Sequence, residues 1–149
     1  MSANPSSDLV PSFRLDDRMA LVTGASSGLG RHFAIMLAAA GARVALAARR
    51  MDKLAEVAAE IRAAGGIAEP IEMDVTRTET IGPAFDAAEK ALGPIRVLVN
   101  NAGVPAGTFF TQTTDEEWRR ILDVNLDGVF RVGREAARRM QAHAQGGSI

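Results

Sequence analysis

From Arg18 onward, short apolar runs alternate with longer amphipathic stretches. Met19–Thr23 (MALVT), Arg43–Ala48 (RVALAA) and Ile95–Val99 (IRVLV) are compact apolar runs that read as strands. A further strand is expected over 67–73, weakened by Pro70. Between them lie stretches with helical spacing. Phe33, Leu37 and Ala40 mark a helix over 29–40, stopped at Gly41. Leu54, Val57, Ala58 and Ile61 stand at i, i+3, i+4 and i+7 in a helix over 51–64, ended by Gly65-Gly66. Thr76-x-x-Glu79 has the form of a capping box opening the next helix, which runs to Gly93-Pro94. Gly82-Pro83 inside it predicts either a restart at Pro83 or a kink. Thr114-x-x-Glu117 is a second capping box, followed by a long helical stretch to about Gln145, broken near Asn125. Ser148-Ile149 reads as the start of a fifth strand.

This alternation, with short connections, predicts a parallel sheet wound by helices on both faces. Ile95–Val99 is apolar enough to be expected buried on both faces. Residues 1–14 hold Ser, Pro and Asn without periodicity and read as a flexible lead, with one domain over 15–149. Composition narrows the chemistry. The 149 residues carry 17 basic and 18 acidic side chains, net charge −1, without the basic excess expected of a nucleic-acid binder. The absence of cysteine excludes disulfides, thiol nucleophiles and cysteine-ligated metals, and no metal site is expected. No apolar run reaches the ~20 residues that span a bilayer, and no signal segment is evident, so a cytoplasmic protein without a membrane partner is expected.

The chemistry lies in the turn Thr23-Gly24-Ala25-Ser26-Ser27-Gly28-Leu29-Gly30, between a strand and a helix. A turn there must bend sharply, admit a pyrophosphate close to the backbone and pack the helix against the sheet, and glycine serves all three needs. The helix N-terminus adds free N–H groups and the positive end of its dipole. A Walker A loop is excluded, since no Gly-Lys-Ser/Thr follows. About 20 residues on, where an acidic side chain would hold an unphosphorylated ribose, the chain reads Ala47-Ala48-Arg49-Arg50. Arginine there favours NADP(H), with Arg49 as the main 2′-phosphate ligand and Arg50 as helper; NAD(H) is the alternative. Asp74 lies at a strand C-terminus, as a ligand or as a helix cap. Asn101 could tie neighbouring loops together, face the cofactor, or do both. Asn125 is locally unfavourable in mid-helix. Trp118 reads as core or interface. His32 and His143 are assigned no chemistry, and Arg131, Arg134, Arg138 and Arg139 read as a solvated helix face.

With these residues in view, the chain resembles the short-chain dehydrogenase/reductase family over about 15–149. The glycine turn resembles the family's cofactor motif, and Asn100-Asn101-Ala102-Gly103 its NNAG motif. Asp74-Val75 matches the pair that contacts adenine, and Asn125 in DVNLDGVF matches the asparagine of its catalytic tetrad. The resemblance implies a Rossmann-type α/β fold, here incomplete: strands 1–4 and the start of a fifth. It implies a cofactor site built from Gly24, Ser26, Ser27, Gly28, Leu29, Gly30, Arg49, Arg50, Asp74, Val75, Asn101, Ala102 and Gly103, with Asn125 as its catalytic residue. It also implies hydride transfer between the nicotinamide and a small alcohol, ketone or aldehyde, and pairing of copies through the helix after strand 4.

The family's tetrad also needs a serine, a tyrosine and a lysine four residues after the tyrosine. This chain has no tyrosine, and its lysines are Lys53 and Lys90 on early helices. The expectation is therefore the N-terminal cofactor-binding portion of such an enzyme, truncated before the Ser/Tyr/Lys segment and inactive alone. The competing expectation is a non-catalytic dinucleotide-binding module or inactive remnant.

Overall fold

The computed structural model describes residues 13–144 and 146–149. The lead expected over 1–14 therefore lies, up to residue 12, outside the described residues. Four parallel strands form one sheet: β1 (Met19–Thr23), β2 (Arg43–Ala48), β3 (Ile67–Glu72) and β4 (Ile95–Val99), in the order β3-β2-β1-β4. The helices α1 (Gly28–Ala39), α2 (Met51–Ala63) and α3 (Thr78–Leu92) connect them in turn. After β4 come α4 (Asp115–Leu122), a π-helical turn (Asp123–Gly128) and α5 (Val129–Ala142).

The period-2 alternation of strand side chains sorts the core into two layers. Met19 and Leu21 of β1, with Ala45 and Ala47 of β2, pack with Phe85 of α3 and Val132 and Ala136 of α5. Ala20, Val22, Val44 and Leu46 face the other way, onto Ala34 of α1 and Leu54, Val57 and Ile61 of α2. Every residue of β1 is buried, as a central parallel strand requires.

Pro70 is accommodated because β3 is an outer strand, where a missing N–H need not break a ladder. β4 is not buried on both faces. Ile95 and Leu98 are core, but Val97 and Val99 are half-buried, because β4 lies at the edge of the described sheet. The Thr76 capping box does not form. α3 starts after Arg77 without a side-chain cap, because Asp74 Oδ1 engages both the Thr76 N–H (3.0 Å) and its hydroxyl (2.7 Å). Pro83 neither ends nor restarts α3, which runs through it. A proline this early removes one intrahelical N–H bond. The second capping box forms by half: Thr114 Oγ1 accepts from the Glu117 N–H (3.2 Å). The Glu117 carboxylate turns instead to the Gly107 N–H and the Thr108 hydroxyl, both at 2.6 Å. The long helix does break near Asn125, as the π turn. The start of a fifth strand is present as a parallel bridge of Ser148 onto β4: the Leu98 N–H donates to Ser148 O and the Ser148 N–H to Arg96 O, both at 2.9 Å.

The arginines of α5 are not uniformly solvated. Arg134 and Arg138 are exposed, but Arg139 is only 19% exposed. It donates to Glu135 (2.7 Å), Glu89 (2.7 Å) and Asp86 (2.8 Å), and its guanidinium lies over the Phe85 ring. It thereby bolts α5 to α3. Burial works most strongly against ionised Glu89. Bonds from Arg139, the Ile95 N–H and His143 outweigh it and hold Glu89 below its ordinary value of 4.5. His143, given no chemistry from sequence, thus has a structural partner in Glu89 at 2.9 Å.

The ends of β1 and β4 are joined by a buried hydroxyl. Thr23, 1% exposed, accepts at Oγ1 from the Asn101 and Ala102 N–H groups, both at 2.9 Å. The Asn101 side-chain amide donates back to the Thr23 carbonyl at 3.0 Å.

Two outcomes follow for stability. Thr23→Val keeps the volume but orphans the Ala102 N–H and leaves the Asn101 N–H with the Val99 carbonyl alone, and should lose about 1.5 kcal/mol in urea unfolding; a loss under about 0.5 kcal/mol would show the clasp to be incidental. Arg139→Met should destabilise by about 2 kcal/mol at neutral pH by stranding Glu89. Because the folded pKa of Glu89 is depressed, its stabilisation is full above 4.5 and fades as pH falls below that value. Melting temperatures across acid pH should therefore fall less steeply in the variant than in the wild type.

Candidate functional site

The C-terminal ends of the four strands open onto one cleft of about 730 Å³. Its floor is the turn between β1 and α1. Gly24 has φ +67, and a Cβ there would lie 2.9 Å from the Ala102 Cα. At Gly30 a Cβ would lie 2.3 Å from the Gly24 carbonyl oxygen and 2.5 Å from Asn101 Nδ2. Only glycine lets the turn, the helix and the Asn101 loop meet this closely. Ser27 is the N-cap of α1 but makes no side-chain cap, and the first turn of α1 carries no acidic residue. The leading N–H groups of a 12-residue helix are thus left to a ligand, under a dipole end that favours an anion.

One wall comes from the end of β2. Arg50 reaches back across the turn, donating to Ser26 Oγ (3.0 Å) and Ser27 Oγ (3.1 Å). Arg49 stands beside it, exposed, and its charge bears on Asp74. The opposite wall is Asp74, Val75 and the loop after β4. Asp74 is neither a free carboxylate nor a helix cap; it closes the turn with Thr76. Burial is the largest influence on it and raises its pKa. The two Thr76 bonds, with the charges of Arg49 and Arg77, more than offset this and keep it below the ordinary value.

Of the proposed cofactor residues, all but Gly28 line this cleft. Gly28 begins α1 with φ +56 and shapes the turn from outside the lining. Asn101 follows the loop-tying alternative, and its backbone neighbourhood still forms cleft wall. Asn125 lies apart, in an adjoining apolar depression of about 320 Å³ that shares Val104 with the cleft. Its Oδ1 accepts from the Val104 N–H (2.8 Å), and its Nδ2 donates to the Val104 carbonyl (2.9 Å). The mid-helix asparagine therefore pins the loop after β4 to the π turn. Trp118 is not core: it is 51% exposed at the rim of the same depression. His32 is exposed on α1.

Sequence reading missed Thr23 as the hub of the clasp, and missed Asp123, Val124 and Arg120 as cleft-lining residues. Asp123 and Val124 were signalled only as the chain neighbours of the anomalous Asn125. Among the described residues no helix is long and apolar enough to cross a membrane.

Comparison with known proteins agrees with this geometry. The chain is 41% identical over 145 residues to an uncharacterised oxidoreductase of Caenorhabditis elegans, covering 94% of this chain and 45% of that protein. It is 36% identical to an NADP-dependent (R)-specific alcohol dehydrogenase of Lentilactobacillus kefiri, covering 91% and 54%. A crystal structure of a short-chain type dehydrogenase/reductase from Mycobacterium marinum superposes with TM-score 0.87 at 42% identity, over 91% of this chain and 55% of that one. A gluconate 5-dehydrogenase from Burkholderia cenocepacia, solved with NADP and tartrate, gives 0.84 at 37% identity, over 92% and 54%. The chain thus spans about half the length of the curated relatives it matches. The family model for short chain dehydrogenases matches residues 18–149, and the chain belongs to the short-chain dehydrogenase/reductase family of oxidoreductases.

Proposed function

We propose that this chain forms the cofactor-binding half of an NADP(H)-dependent oxidoreductase that interconverts a small alcohol with a ketone or aldehyde. The observation that carries the cofactor choice is at the end of β2. Arg49 and Arg50 stand where a ribose-binding carboxylate would be, and Arg50 is already held over the turn by Ser26 and Ser27. A 2′-phosphate placed there meets two guanidinium groups, whereas an unphosphorylated ribose meets no acceptor from the end of β2. Gly24, Ser26, Ser27, Leu29 and Gly30 would hold the pyrophosphate, with Gly28 shaping their turn. Asp74 and Val75 would border the adenine, and Asn101, Ala102 and Gly103 the far wall. When bound, the nicotinamide supplies or takes up the hydride. Asn125 would serve the proton path through its hold on the loop at Val104.

A second reading is a non-catalytic dinucleotide-binding module, favoured by Asn125, whose side-chain amide is spent at both ends on the Val104 backbone. We place the protein in the cytoplasm. We also place pairing between copies on the α4–α5 stretch, supported by Leu126 and Phe130, each 60% exposed there.

Titration with NADPH and NADH, followed by nucleotide and Trp118 fluorescence, tests the cofactor choice. Arg49→Ala/Arg50→Ala should weaken NADPH about tenfold or more, the scale of lost charge-assisted bonds, and change NADH binding by less than about threefold. Equal losses for both nucleotides would sink the 2′-phosphate assignment. NADPH consumption with a panel of carbonyls, measured on the protein isolated from its natural source, separates the two readings: binding without turnover there supports the module.

A further inference from the structure

One partly buried cation beside the cleft has no part in the proposal above. Arg131, on the first turn of α5, is 21% exposed. Its Nη1 donates to Asp123 Oδ1 at 2.7 Å and lies 3.5 Å from the carbonyl oxygens of both Asp123 and Val75. Asp127 Oδ2 is 3.7 Å from Nη2. Asp123 and Val75 line the cleft, whereas Arg131 stands behind them. The two walls meet without slack, since a Cβ on Gly128 would lie 2.9 Å from Val75 Cγ2.

The charges of the cleft make this arrangement informative. Arg49, Arg50, Arg120 and the N-terminus of α1 all favour an anion. Two carboxylates share the lining. Asp74 is occupied by Thr76. Asp123, left alone, would oppose any phosphate-bearing ligand. We infer that Arg131 is a positioning residue of the dinucleotide cleft: by neutralising Asp123 and holding the Val75 carbonyl, it joins the π turn to the β3–α3 loop and removes a charge that would repel an anionic cofactor. The inference rests on the dinucleotide reading but concerns a residue that does not touch the dinucleotide.

The test is NADPH titration of the full chain at low and at about 0.5 M salt, for wild type, Arg131→Met, Asp123→Asn and the double variant. Arg131→Met should weaken NADPH about fivefold at low salt, the scale of one unit charge at intermediate range in a protein-like dielectric. High salt should shrink that loss. The double variant should return to within about twofold of wild type, because the repelling charge is gone with its partner. Asp123→Asn alone should bind about twofold tighter at low salt. A double variant as weak as Arg131→Met would reduce Arg131 to a packing role and overturn the inference. If Arg131→Met does not fold, Asp123→Asn decides, and unchanged or weaker binding overturns it. A wild-type chain that binds no NADPH overturns the cofactor reading itself.

Discussion

Thr23 and Asn101 exchange backbone and side-chain bonds across the C-terminal ends of β1 and β4, around a hydroxyl that is itself buried. The glycine turn begins one residue after Thr23, and the loop that forms the far wall begins at Asn101. Loosening this clasp would therefore move floor and wall independently. Gly30 shows how tightly the three pieces are set, since even a methyl group would collide with both the turn carbonyl and the Asn101 amide. The hydrogen bonds are costly to break, because the Ala102 N–H has its partner in the buried Thr23 hydroxyl.

Around that fixed edge, the structure separates charges that serve the cleft from charges that serve the scaffold. Arg139 and Glu89 lie on the far side of α3 and α5 and spend their interactions on holding helices together. Arg49 and Arg50 are exposed at the mouth. Arg131 and Asp74 stand between these roles, each tied to a local turn whose atoms also face the cleft. Side chains of the same type thus do different work according to which element lies opposite.

That dependence on opposite elements marks the limit of what could be read from the sequence. β1, β2 and β4 were legible to the residue, because strands of a parallel sheet are short apolar runs with abrupt ends. The glycine turn was legible because no other residue tolerates its geometry. The arginines of α5 were not, since two of the three carboxylates that hold Arg139 lie on α3, roughly fifty residues away in the chain. Thr76 was misread for a more local reason: Asp74, two residues earlier, competes for its hydroxyl and N–H and wins. The exposure of Val97 and Val99 depends on strand order, which hydropathy alone does not contain.

The π turn at Asp123–Gly128 has a consequence best put in terms of helical phase. Each residue advances an α-helix by about 100°, so a turn that accommodates one residue more than an α-turn rotates everything after it by about that angle. α4 and α5 therefore present faces that a regular helix could not present together. Asn125 looks toward the loop after β4 while Val132, Ala136 and Met140 look toward the sheet. The extra residue acts as a fixed rotational offset between two halves of one helix. Losing one residue from this turn would let a regular helix carry α5 in the same phase onto the sheet, whereas losing one at the start of α5 would rotate every side chain after it by about 100° away from the sheet it covers.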